Sequence, residues 1–149
     1  MRIALAVLCG VFALPGCREG EGETALPGEI AFQWQGEDTQ GGATLAARAT
    51  LCRETGLVEL FAVRGDTGIG LALFPTDSAH PVAVDYRVFR AATDPEPRPG
   101  ANIAIRWLDD VTLEAYDGTG GWVRLDSTPP GVVSGALDAA LRSVERPDT

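Results

Sequence analysis

From position 29 onward, apolar and polar residues alternate over short stretches broken by clusters of Gly, Pro, Asp and Thr, which is the period of strands and not of helices. Ile30, Phe32 and Trp34 share one side of the first stretch, and a polar loop is expected over 36–42. Leu45, Ala47, Ala49 and Leu51 share a side of the second. The stretches 57–64 and 69–74 are apolar on both sides, which predicts central strands with both faces covered, joined by a turn over 65–68. Val82, Val84, Tyr86 and Val88 form another phased set. Pro95, Pro97 and Pro99 make 91–100 an expected exposed loop, since proline cannot continue a central strand. Ile103, Ile105 and Trp107 alternate again, Asp109 and Asp110 set them off from 111–116, and 117–121 reads as a hairpin turn into 122–128.

The segment 132–145 fits two periods. Val133, Leu137, Leu141 and Val144 make a helical stripe, which its alanines favour. As a strand, Val133, Leu137, Ala139 and Leu141 oppose Ser134, Asp138 and Arg142. We read it as a strand, with Gly135 as the position for a bulge. Eight or nine short strands with hairpin-length links predict an all-β domain, an antiparallel β-sandwich or flattened barrel over 29–145, with a short tail at 146–149.

Residues 1–28 follow a different pattern. Met1 and Arg2 precede an apolar run over 3–16, after which 17–28 turns Gly- and Glu-rich. A positive start, an apolar run of about 14 residues and small residues at the break form a secretory signal, too short to span a bilayer. At the break, Leu14-Pro15-Gly16-Cys17 resembles the lipobox of bacterial lipoproteins. Cys9 does not fit that motif, because Leu8 precedes it and the apolar run continues beyond it. The resemblance implies cleavage between Gly16 and Cys17, with a diacylglycerol on the Cys17 thiol and an acyl chain on its new amino group. These covalent lipids are the only cofactor expected. Two or three buried chains hold a protein to a bilayer, whereas one binds reversibly. Residues 17–28 then serve as a flexible tether. Arg18 directly after the cysteine implies, by the same resemblance, the outer membrane, with the body on its periplasmic or cell-surface side. The alternative is an ordinary secretory signal with Cys17 incidental or kept for a disulfide with Cys52. The stretch Val132-Val133-Ser134-Gly135-Ala136-Leu137 is also similar to the closing strand of small bacterial lipoproteins with β-sandwich domains.

Composition narrows the chemistry. The whole chain has 149 residues, 45% of them hydrophobic, but removal of the first 16 leaves 133 residues and eleven arginines against 21 acids. So acidic a body disfavours nucleic-acid binding, which needs a positive face. If Cys9 leaves with the signal and Cys17 carries lipid, Cys52 is the sole thiol and no intramolecular disulfide is expected. All basic residues are arginine, and His80 is the only histidine. Neither His80 nor the serines (Ser78, Ser127, Ser134 and Ser143) fall in a nucleophile motif. Asp66-Thr67-Gly68 matches the aspartic-protease tripeptide, but without a second copy it reads as a polar turn. No catalytic set emerges. Asp109, Asp110 and Asp117, with Glu114 and Asp126 nearby, are the calcium candidates, though without an EF-hand spacing. Tyr116, Trp122 and Arg124 are the candidate contact patch. The expected function is a non-catalytic envelope lipoprotein, an accessory or binding module touching the bilayer through its anchor and an envelope protein or ligand through its body. An extrinsic structural subunit of a membrane complex is the alternative, followed by a carboxylate-dependent envelope enzyme.

Overall fold

The computed structural model describes residues 2–5, 8–11, 28–37, 40–52, 56–76, 84–90, 98–126 and 132–144. The alternating pattern folds as β3 (Gly28–Gln35), β4 (Gln40–Leu51), β5 (Val58–Arg64), β6 (Thr67–Phe74), β7 (Asp85–Val88), β8 (Gly100–Asp109), β9 (Thr112–Leu125) and β10 (Val132–Ser143). The two earlier strands, β1 (Arg2–Leu5) and β2 (Leu8–Val11), lie within the expected signal segment. No helix occurs among the described residues.

The eight strands of the body form one mixed sheet that curls into a half-barrel, seven of them in the order β3, β4, β5, β6, β8, β9, β10. Short β7 runs parallel to β8 and antiparallel to β9. Of the two architectures expected, the single curled sheet is the one formed. Curling puts alternate residues of every strand on one enclosed side. Ile30 and Phe32, Leu45 and Ala47, Val58 and Leu60, Ile69 and Leu73, Tyr86, Ile103 and Ala139 are all at most 2% exposed. Burial of such side chains contributes about 1.5–3 kcal/mol each, which is the main stabilisation of this core.

The turn expected at Asp66 is present. Gly65 and Asp66 link β5 to β6 as a two-residue hairpin loop, with Gly65 at φ 58° as a primed turn requires. Asp110, at φ 50°, occupies the corresponding bend between β8 and β9. The ambiguous closing segment is a strand: β10 pairs with β9 along nearly its whole length.

Four expectations need correction. Residues 117–121 are not a hairpin turn; they run through the middle of β9, and the register against β10 shifts there, so that Thr119 is the extra residue. The glycines serve close approach instead. A Cβ on Gly118 would meet Val88 Cγ1 at 2.8 Å, and one on Gly121 would meet the Asp138 carbonyl oxygen at 2.1 Å. That bulge replaces the one expected at Gly135, which stays in register opposite Leu125 and close to the Arg124 carbonyl. The loop expected over 36–42 is shorter, because Gly41 and Gly42 are already in β4, Gly41 lying under the Trp34 ring. Finally, β5 and β6 are covered on one face only: Phe61 is 52% and Val63 55% exposed on the other.

Gly121 sits at φ 107° with backbone in its Cβ position, whereas Gly120 has open space around it. Gly121→Ala is therefore expected to destabilise by about 2–3 kcal/mol in urea unfolding, and Gly120→Ala by well under about 1 kcal/mol. Equal costs would refute the assignment of the close approach to Gly121.

Candidate functional site

The bulge in β9 decides which residues face outward. Before it, Tyr116 lies on the enclosed side; after it, Trp122, Arg124 and Asp126 lie outside, while Val123 and Leu125 are buried. The expected patch of Tyr116, Trp122 and Arg124 is thus split between two faces. Tyr116 stacks on Trp107 with ring centroids 4.9 Å apart and an interplanar angle of 3°, and Trp107 stacks on Trp34 at 4.7 Å. This aromatic column fills one end of the half-barrel. The indole Nε1 of Trp34 is buried there without a hydrogen-bond partner.

Trp122 and Arg124 do meet on the outside. The Arg124 guanidinium lies 5.0 Å from the centre of the Trp122 ring and donates to both carboxylate oxygens of Asp85, from Nε at 2.6 Å and Nη2 at 2.8 Å. The register places Asp85 directly opposite Arg124, and the bidentate fork holds the end of β7 against β9. The hydrogen bond from Arg124 is the main cause that lowers the Asp85 carboxyl from its ordinary range, and the same pairing raises Arg124. Both side chains are more than half exposed, so this is a surface clasp with modest effect on stability.

The calcium candidates are not brought together. Asp110 lies in the exposed β8–β9 bend, beside Asp109, whereas Asp117 pairs with Ala104, five rungs and roughly 17 Å along the hairpin. No group of three metal-ligating side chains occurs among the described residues. His80, Ser78, Ser127, Gly16 and Cys17 lie outside the described residues.

Cys52 departs from expectation, since it is disulfide-bonded and not a free thiol. The chain has only two other cysteines, Cys9 and Cys17, whose side chains lie outside the described residues.

A surface that the sequence pattern did not single out lies on the outer face of β5, β6, β8, β9 and β10. One row of paired residues crosses these five strands: Phe61, Gly70, Ala104, Asp117 and Arg142. The neighbouring row is Val63, Gly68, Arg106 and Ala115. Glycine and alanine make a low floor, and Phe61, Val63 and Val144 stand beside it, leaving an open apolar groove of about 370 Å³. At its Asp117 and Val144 end it meets a polar cleft of about 220 Å³ lined by Arg90, Arg142 and Ser143. The legible signal was the alternation of Gly68 and Gly70 along β6, which leaves Val63 and Phe61 of the paired strand as the cover of that face.

The fold and this face define an all-β module: one curled sheet with an apolar-to-polar strip outside. Compared with known proteins, the chain matches no family model, no curated protein and no solved structure.

Because the Asp85 carboxyl is lowered, whatever stability the pair gives is present above the ordinary carboxylate pKa and is lost as pH falls through the lowered one. In an NMR titration, Arg124→Gln is expected to move the Asp85 midpoint up toward 3.8, the value of an unpaired carboxyl. An unchanged midpoint would show that Arg124 is not the cause.

Proposed function

We propose that the chain is a membrane-anchored envelope lipoprotein whose β body is a non-catalytic binding or accessory module. The observation that carries the reading is the outer groove. Phe61 and Val63 are more than half exposed on a strip floored by glycine and alanine, and contiguous exposed apolar surface of this kind marks a contact site. Its polar end, where Asp117, Arg142 and Ser143 meet, adds charged and hydrogen-bonding groups beside the apolar strip. The lipobox at Leu14–Cys17 and the Gly/Glu-rich stretch after it support an anchor that leaves the body free in the aqueous compartment. No helix among the described residues is long and apolar enough to cross a membrane.

The disulfide at Cys52 favours a second reading of the anchor. Its partner must be Cys9 or Cys17, and processing as a lipoprotein would remove the first and convert the second to a thioether. A chain that keeps a Cys17–Cys52 disulfide is an exported protein of an oxidising compartment without the lipid, whereas a Cys9–Cys52 disulfide leaves the Cys17 thiol free to take it. Mass spectrometry of the amino-terminal peptide from membranes decides between them. Diacylglyceryl-Cys17 is expected, and Cys17 in a disulfide with Cys52 would overturn the lipid anchor.

The groove is tested separately. A photoreactive residue at position 63, in cells, is expected to give one discrete cross-linked protein, lost on Phe61→Asp with the fold unchanged by circular dichroism. The absence of any such adduct refutes the binding module. Stable co-migration with a large assembly after gentle solubilisation would favour the structural-subunit reading instead.

A further inference from the structure

The two edges of the body sheet, β3 and β10, are not hydrogen-bonded to each other. The strands β1 and β2 lie between them. Ile3 pairs with Trp34 of β3 on one side and with Ala139 of β10 on the other, and Arg2 pairs with Gln35 and Ala140. Farther along, Gly10 pairs with Gly28 and with Val133. The two strands β1 and β2, each paired with both walls, therefore bridge the seam and close the barrel. Because both β3 and β10 run antiparallel to it, they run parallel to each other. They stand two strand spacings apart, about 9–10 Å.

This geometry matters if residues 1–16 are removed, as the lipoprotein reading requires. The body is then left with two unpaired edges facing one another across the width of one strand. Sealing by direct β3–β10 pairing would need a parallel ladder and a shift of one wall by about 5 Å. That shift would act on β3, whose Trp34 is held in the aromatic column with Trp107. An apolar cavity of about 30 Å³ already touches both walls, at Ile30 on β3 and at Gly135 and Leu137 on β10.

We propose that the mature body carries a strand-acceptor slot between β3 and β10, which takes an extended apolar segment of a partner polypeptide by β-augmentation. The occupant is specified by the segment that fills the slot in the full chain. It is about ten residues long and antiparallel to both walls. It is apolar or small at positions opposite Phe32, Trp34 and Ala139, whose side of the sheet is the core. Its affinity would come from two backbone ladders at once, which no ordinary edge strand offers. The slot rests on the processing proposed above, but its capacity to exchange strands can be measured independently of signal cleavage.

A protease site is placed between Gly20 and Thr24 of the full chain, the folded protein is cut, and its disulfide is reduced. Hydrogen exchange is then followed in 28–35 and 132–140. Release of the leader is expected to speed exchange in both segments by roughly five- to tenfold, the local loss of a few hydrogen bonds. A peptide with the sequence of residues 2–11 carrying Cys9→Ser is expected to restore protection in both segments. The same peptide with Ala4→Pro should not, because proline breaks the ladder at the rung opposite Gln33 and Asp138. Three results would overturn the slot: protection that survives loss of the leader, showing that the edges seal; equal rescue by the proline peptide; or rescue by raised protein concentration alone, showing that a second copy fills it. The mass of the mature amino terminus tests processing by itself, and retention of Met1 in cells would refute that reading without altering the exchange result.

Discussion

The curl of the sheet is the constraint on which the rest of the molecule depends. Counted along the hydrogen-bonded order, β3 and β8 are separated by β4, β5 and β6. In a flat sheet they would lie about 19 Å apart. Instead the Trp34 and Trp107 rings stack at 4.7 Å, with Phe32 at 5.7 Å on one side and Tyr116 at 4.9 Å on the other. With all the described strands of the body in one sheet and no helix among the described residues, the sheet covers its apolar face by curling on itself. Large aromatic rings reach across the narrow end and fix how far it bends. The close approach of Gly41 to the Trp34 ring belongs to the same solution, since any side chain there would displace the indole.

Enclosure by curling also explains the long ninth strand. A strand that bends around a barrel accumulates strain unless its pleat is interrupted, and an extra residue both sharpens the twist and relieves the register. In β9 that residue is Thr119, flanked by glycines that let β10 and the β7–β8 side approach closely. The cost is a reversal of which side each residue faces. Tyr116 joins the core while Trp122 and Arg124 turn outward, where Arg124 clasps Asp85 of β7. One inserted residue therefore separates an aromatic that builds the fold from one that decorates its surface.

Most of the fold was legible because burial on one face imposes a period of two, and Ile30, Phe32, Leu45, Ala47, Ile103 and Ile105 each obey it. What misled was glycine. In 117–121 five residues with three glycines look like a turn, yet glycine serves close packing as readily as chain reversal, and only the tertiary register tells the two apart. The same ambiguity hid the groove. Gly68 and Gly70 were absorbed into an apolar run that suggested two covered faces, whereas on the outer face they lie under Val63 and Phe61, which are themselves more than half exposed. The acid cluster failed for a simpler reason: Asp110 and Asp117 are near in sequence, but an extended strand carries residues apart at about 3.4 Å each.

The cysteines tie the anchor to the seam. With three cysteines in the chain, a disulfide at Cys52 draws its partner from the segment that lipoprotein processing would remove or modify. If the partner is Cys17, the disulfide and the lipid thioether would compete for one sulfur; if it is Cys9, the disulfide would hold the leader on the body even after cleavage before Cys17. In either case the Cys52 disulfide would have to be reduced before the leader could leave its place between β3 and β10. The order of events follows from chemistry: a thioether is not reopened by thiol exchange, whereas a disulfide is. Lipidation, once made, would be permanent, whereas a disulfide would hold the leader only until it is reduced.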